Sequence, residues 1–119
     1  FAVYVAMLTL RWLKKKGGVT TLEQENNKKA ELLYSTLDAL PLFKTPVAKE
    51  DRSKMNAVFI LEDNKLEEEF FELCKKEGMI GVKGHRSVGG FRISMYNALL
   101  LESVKAITDL MNDFANKKG

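Results

Sequence analysis

The chain is poor in the residues from which disulfides, metal sites and proton relays are built: among 119 residues there is one cysteine, one histidine and one tryptophan. Cys74 alone cannot form an intrachain disulfide. Its place in the run Leu66, Phe70, Leu73, Cys74 predicts a small buried hydrophobe rather than a catalytic thiol. Nothing calls for an oxidising compartment, which favours the cytoplasm. A lone histidine supplies neither a histidine metal site nor a second imidazole, so metal binding is not expected. Long hydrophobic runs are missing as well. The apolar opening Phe1 to Leu10 is interrupted by Arg11, short of the roughly 20 residues a membrane helix requires. It also lacks the basic leader and small-residue cleavage site of a signal peptide. Neither a G-x-x-x-x-G-K-[ST] phosphate loop nor a G-x-G-x-x-G fingerprint occurs, so nucleotide binding has no support.

What is present fits one globular domain: 45% hydrophobic and 29% charged residues, enough to bury a real core. The net charge of +3 comes from scattered lysine groups, Lys14-Lys15-Lys16, Lys28-Lys29, Lys75-Lys76 and Lys117-Lys118, amid plentiful acids. These read as solvated helix faces. A nucleic-acid surface would concentrate them on one face with aromatics between, and no such stripe exists. The chain opens without an initiator methionine, inside an apolar segment, and reads as a piece of something longer. Val3, Tyr4, Met7, Leu8 and Trp12 give that segment more apolar surface than a peripheral helix uses, which points to another domain or subunit as its cover.

Spacing predicts a first helix over residues 1–16, stopped by Gly17-Gly18. A second, amphipathic helix starts at Thr20, where Thr20 and Glu23 have capping-box form. From Pro41 to Lys54 the pattern breaks into a loop with at most one short extended piece. Met55 to Leu61 reads as a strand, followed by a helix from Asn64, with Glu67 completing a capping box, to Gly78. Strands are expected at Met79 to Val82 and Phe91 to Met95, then a last helix with Val104, Ile107, Met111 and Phe114 on its apolar stripe. The order predicts an α+β two-layer sandwich, helices packed on one face of a small mixed or antiparallel sheet.

The chemistry concentrates in Lys83-Gly84-His85-Arg86-Ser87-Val88-Gly89-Gly90-Phe91-Arg92. Two guanidiniums carry permanent charge and a planar donor fork that matches carboxylate or phosphate. Gly89 and Gly90 permit backbone angles that other residues resist, and His85 can donate to an anion and change charge near neutral pH. Singly, each of the three cations reads as a surface residue. Together in one turn, His85, Arg86 and Arg92 form a candidate pocket for a doubly anionic small molecule. Ser87 has no orienting acid and no second histidine, so hydrolase chemistry is not expected.

Gly84 to Arg92, continued by Ile93-Ser94-Met95-Tyr96-Asn97-Ala98, closely resembles the signature near the carboxyl end of phosphoserine aminotransferases. Phe1-Ala2-Val3-Tyr4, Trp12-Leu13-Lys14, Lys29 to Tyr34, Asp51 to Asn56 and Leu101-Glu102 follow in family order, so the resemblance covers essentially the whole chain. It implies the small C-terminal domain (residues 1–119, with 1–16 an interdomain helix) of a homodimeric fold-type I enzyme. Such enzymes use pyridoxal phosphate to move an amino group between glutamate and 3-phosphohydroxypyruvate, giving phosphoserine and 2-oxoglutarate in serine synthesis. The resemblance further implies that Arg92 holds the substrate α-carboxylate, while His85 and Arg86 bind the phosphate or the glutamate side-chain carboxylate, at the partner subunit's site. The Schiff-base lysine, the aspartate facing the pyridine nitrogen and the cofactor-phosphate residues would lie upstream, leaving this chain inactive alone. Leu100 stands where the family commonly has proline, and Phe91 where it has methionine; neither touches the three cations. The competing expectation is a free-standing, non-catalytic α/β module that binds an anionic metabolite or a partner protein.

Overall fold

Strict alternation along Asn56–Leu61 sets the two sides of the molecule: Ala57, Phe59 and Leu61 are buried, while Asn56, Val58 and Ile60 are only half covered. The computed structural model describes residues 1–119. Its elements are α1 (Ala2–Lys15), α2 (Gly18–Ala39), β1 (Phe43–Lys44), a short 3-10 turn (Lys49–Asp51), β2 (Asn56–Leu61), α3 (Asn64–Lys76), β3 (Phe91–Ser94) and α4 (Leu101–Lys118). The sheet runs β1-β2-β3, antiparallel throughout, with Phe43 opposite Leu61 and Val58 opposite Arg92. Helices α2, α3 and α4 cover one face, giving the expected two-layer α+β arrangement.

Aromatic rings fill the space between the layers. The Phe70 ring, delivered by α3, meets Phe43 at 5.1 Å, Phe91 at 5.3 Å and Phe114 at 5.1 Å between centroids, and Phe59 stacks on Phe91 at 5.0 Å. Around them pack Leu33 and Leu37 of α2 and Val104, Ile107 and Met111 of α4. Cys74 is fully buried in this core, as its helical spacing predicts, and burial pushes its thiol up to about 11.

The local signals differ from expectation in four places. Gly17 adopts φ 107° and caps the next helix at once, so α2 begins at Gly18 rather than at Thr20. The Thr20–Glu23 capping box does not form; instead the Thr21 hydroxyl donates to the Gly17 carbonyl at 3.1 Å. The cap of α3 is Asp63, whose carboxylate accepts from the Lys65 N–H at 2.8 Å, while Asn64 is already helical. No strand forms over Met79–Val82, because Gly78 and Gly81 both take positive φ and turn the backbone out of the extended form. What survives is a brief antiparallel contact, with the Arg92 N–H donating to Val82 O at 2.8 Å.

Two charged residues, Arg52 of the segment expected to be a loop and Lys29 of a lysine pair that reads as solvated, are fixed in place. Arg52 makes a two-pronged bond to Asp38 at 2.8 and 2.9 Å, lies over the Tyr34 ring at 4.9 Å and donates to Thr45 Oγ1. Those bonds hold the Asp38 carboxyl below the usual carboxylate range. Lys29 is 2% exposed. Its ammonium donates to the carbonyls of Tyr96 at 2.9 Å, Leu99 at 3.0 Å and Met95 at 3.4 Å, under the turn that joins β3 to α4. Beside it the Asn26 amide donates to Asn97 Oδ1 at 2.8 Å. Burial lowers the Lys29 pKa from 10.5, and the charge of Glu25 opposes the shift.

Replacing Lys29 by Met keeps the stem but leaves the Met95 and Leu99 carbonyls without a partner, the Tyr96 carbonyl retaining the Leu99 N–H, so urea unfolding should show a loss of about 2–5 kcal/mol; a loss within about 0.5 kcal/mol of zero contradicts the clamp. Cys74 yields a pH prediction. The folded chain keeps the thiol proton up to about 11, whereas the unfolded chain releases it near 9. Its contribution is complete below pH 9 and declines as pH rises through that window. The stability of the parent relative to Cys74→Ala should therefore fall by about 2–3 kcal/mol between about pH 8 and 11, and a flat difference refutes it.

Candidate functional site

The segment between α3 and β3 is tied into a closed loop by its own main chain. Gly84 N–H donates to Gly90 O at 2.8 Å, and the N–H groups of Val88 and Gly89 both reach His85 O, at 3.0 and 2.9 Å. Two glycines make this closure possible. A Cβ on Gly84 would sit 2.1 Å from Gly89 O, and one on Gly90 would sit 2.6 Å from Phe59 O, with Gly90 also at φ 64°. Gly90 thus lets the loop lie directly on β2, and β3 starts at the next residue.

The three cations sit differently on this frame. Arg92 lies on β3, on the sheet face away from the helices, and is exposed. The residue borders a groove of about 370 Å³ between the 77–82 segment, β3 and the start of α4, together with Gly81, Val82, Ser94 and Ser103. His85 and Arg86 project from the loop, exposed to solvent, and do not line that groove. Within this chain, then, the structure does not bring all three into one pocket. At His85, Nδ1 contacts Ser87 Oγ at 2.7 Å and faces the Ser87 N–H at 3.3 Å. A main-chain N–H can only donate, so Nδ1 accepts, and the neutral ring carries its hydrogen on Nε2, free to meet an anion.

No carboxylate lies within 4 Å of Arg86 or Arg92, in contrast to Arg52, whose fork is occupied by Asp38. An arginine with an empty fork, on a strand whose path is fixed by backbone bonds at both ends, is chemically a carboxylate or phosphate receptor. No group of three His, Cys, Asp or Glu side chains is placed to hold a metal ion.

Pyridoxal phosphate requires a lysine amine that is free to condense with an aldehyde. The one buried lysine, Lys29, does not fit: its ammonium already donates to three main-chain carbonyls. The expectation that every lysine here is solvated is wrong for Lys29, yet its burial serves the fold, and Lys29 does not fit the cofactor's needs.

Sequence reasoning missed a polar network beside Arg92. Ser94 Oγ donates to Asn56 Oδ1 at 3.0 Å, and the Tyr96 hydroxyl approaches the same oxygen at 3.4 Å. The signal was available in part: Arg92 and Ser94 alternate along β3 and share a face, with Ser94 opposite Asn56, the first residue of β2, and Tyr96 follows two residues on. It was obscured because serine, tyrosine and asparagine carry no charge pattern.

Comparison with known proteins places this geometry. The chain is 50% identical over 117 residues to a phosphoserine aminotransferase of Flavobacterium johnsoniae, and 49% identical over 119 residues to one of Porphyromonas gingivalis. Each alignment covers 98% of this chain and 33% of the relative, so the chain spans about a third of the length of the curated relatives it matches. Among solved structures, the phosphoserine aminotransferase of Bacillus circulans subsp. alkalophilus superposes with a TM-score of 0.89 at 40% identity, over 92% of this chain and 31% of that one. The PLP-bound phosphoserine aminotransferase of Trichomonas vaginalis superposes with a TM-score of 0.86 at 35% identity, over 94% and 32%. The aminotransferase class-V profile matches residues 1–107, and the chain belongs to that family.

Proposed function

We propose that these residues form the small C-terminal domain of a phosphoserine aminotransferase, which moves an amino group between glutamate and 3-phosphohydroxypyruvate in serine synthesis. The observation that carries the reading is the unoccupied fork of Arg92 on β3, in a chain of the aminotransferase class-V family. The names of the relatives at about half identity supply the substrate class. In this reading Arg92 grips the α-carboxylate with two parallel N–H donors, which fixes the orientation of the substrate as well as its position. The Nε2–H of His85 and the guanidinium of Arg86 take the second anion, the phosphate or the side-chain carboxylate, at the partner subunit's site of a homodimer. Both bond types strengthen when water is excluded by a covering domain.

The cofactor, pyridoxal phosphate, supplies the electron sink for amino transfer and is held by other parts of the polypeptide. The present chain contributes recognition. Its first helix supports a covering body: Phe1 is 102%, Val3 84% and Leu10 63% exposed, and α1 packs on α2 alone. Such a surface is wider than a surface helix tolerates in water. We assign residues 1–16 as the interdomain helix on that ground. No helix is long and apolar enough to cross a membrane, and in this reading the enzyme works in the cytoplasm.

In the full-length protein, Arg92→Ala should lower kcat/KM for both glutamate and phosphoserine by a factor corresponding to about 2–5 kcal/mol. Arg92→Lys should recover only part of it, since an ammonium cannot make the fork. Unchanged kcat/KM for both substrates in Arg92→Ala overturns the reading.

A further inference from the structure

The open face of the sheet holds a second side chain with unused donors, close to Arg92. Residue pairing sets Asn56 directly opposite Ser94 and Val58 opposite Arg92, so Asn56 and Arg92 are diagonal neighbours on one face. Side chains so placed have Cβ atoms roughly 7 Å apart, within reach of one bound carboxylate when one partner is a long arginine. The Asn56 side chain is oriented by its neighbours: Oδ1 receives the Ser94 hydroxyl at 3.0 Å and the Tyr96 hydroxyl at 3.4 Å. With Oδ1 taken as the acceptor of both, the two hydrogens on Nδ2 are the amide's unused capacity, and Nδ2 makes no bond within the chain. The backbone under it is fixed as well. Asn56 N–H donates to Ser53 Oγ at 3.1 Å, and Met95 N–H donates to Met55 O at 2.7 Å.

We propose that the Asn56 amide is a second binding residue for the carboxylate gripped by Arg92, with Ser94 and Tyr96 as its positioning residues. This rests on the assignment of Arg92 as a carboxylate receptor. A guanidinium and an amide make a pair of unequal donors. The arginine supplies charge, while the neutral amide supplies a hydrogen bond in a fixed direction at little desolvation cost. A carboxylate held by both has its plane defined, whereas one held by a mobile arginine alone can swivel. The ligand class is thus a planar carboxylate, in preference to a tetrahedral phosphate, on the open face of the sheet between Asn56 and Arg92.

The test is Asn56→Asp in the full-length protein. The substitution keeps an oxygen for the Ser94 and Tyr96 hydroxyls, so the brace survives, but it replaces the donor with a negative acceptor that repels the ligand. The KM for glutamate should rise at least tenfold with kcat within threefold of the parent and the melting temperature within a few degrees. Asn56→Ala, which removes the donor without adding charge, should raise KM less than Asn56→Asp does, and it is the readout if the aspartate variant does not fold. Tyr96→Phe should raise KM by less than either. If both Asn56 variants leave KM unchanged while Arg92→Lys raises it, the inference about Asn56 fails and the Arg92 reading stands. If Arg92→Lys also leaves KM unchanged, both fail. A drop in melting temperature with no change in KM assigns Asn56 a purely structural role and likewise overturns the proposal.

Discussion

One buried ammonium determines where the functional strand ends. Lys29 reaches up from α2 and holds the carbonyls of Met95, Tyr96 and Leu99; the Tyr96 carbonyl also accepts from the Leu99 N–H, whereas those of Met95 and Leu99 have the ammonium as their partner. That turn is the hinge between β3 and α4. Fixing it fixes the exit of β3, and the closed loop from Gly84 to Gly90 fixes the entry. Between these two anchors stand only Phe91 to Ser94, with Phe91 and Ile93 committed to the core and Arg92 and Ser94 to the open face. Arg92 therefore inherits its direction from constraints at both ends of a four-residue strand.

The same economy of partners separates the cations bound into the fold from those left free. Arg52 has a carboxylate, an aromatic face and a hydroxyl of its own, and serves to pin the loop between β1 and β2 onto α2. Lys29 has three carbonyls. Arg86 and Arg92 have no carboxylate within 4 Å, so their fields act on whatever anion arrives. The glycines close to them act through the space they leave open. Gly90 lets the loop lie on β2 at a distance no side chain permits.

Much of this was legible in the residues. Alternation in Asn56–Leu61, the stripe Val104, Ile107, Met111, Phe114 and the buried thiol of Cys74 follow from hydrophobic period alone, because burial decides them. His85, Arg86 and Arg92 could be named from charge and glycine content. Two kinds of information were not legible. Lys29 lies in a lysine pair whose members look alike in sequence, and only the carbonyls of Met95, Tyr96 and Leu99, between 66 and 70 positions further along the chain, distinguish the buried one. The Met79–Val82 stretch has strand-like side chains, but its glycines adopt left-handed angles that propensity does not reveal. Asn56 shows the same limit: its place opposite Ser94 follows from strand register, which the sequence of a short strand does not announce.

The claim on which the account turns is that Arg92 holds a substrate carboxylate. Its most direct test is a crystal structure of the full-length protein with glutarate, a dicarboxylate that resembles the substrates but cannot react. The account predicts a carboxylate within hydrogen-bond distance of both terminal nitrogens of Arg92, lying over the open face of the sheet. Finding Arg92 paired instead with an aspartate or glutamate of a neighbouring domain, with glutarate bound elsewhere, would contradict it.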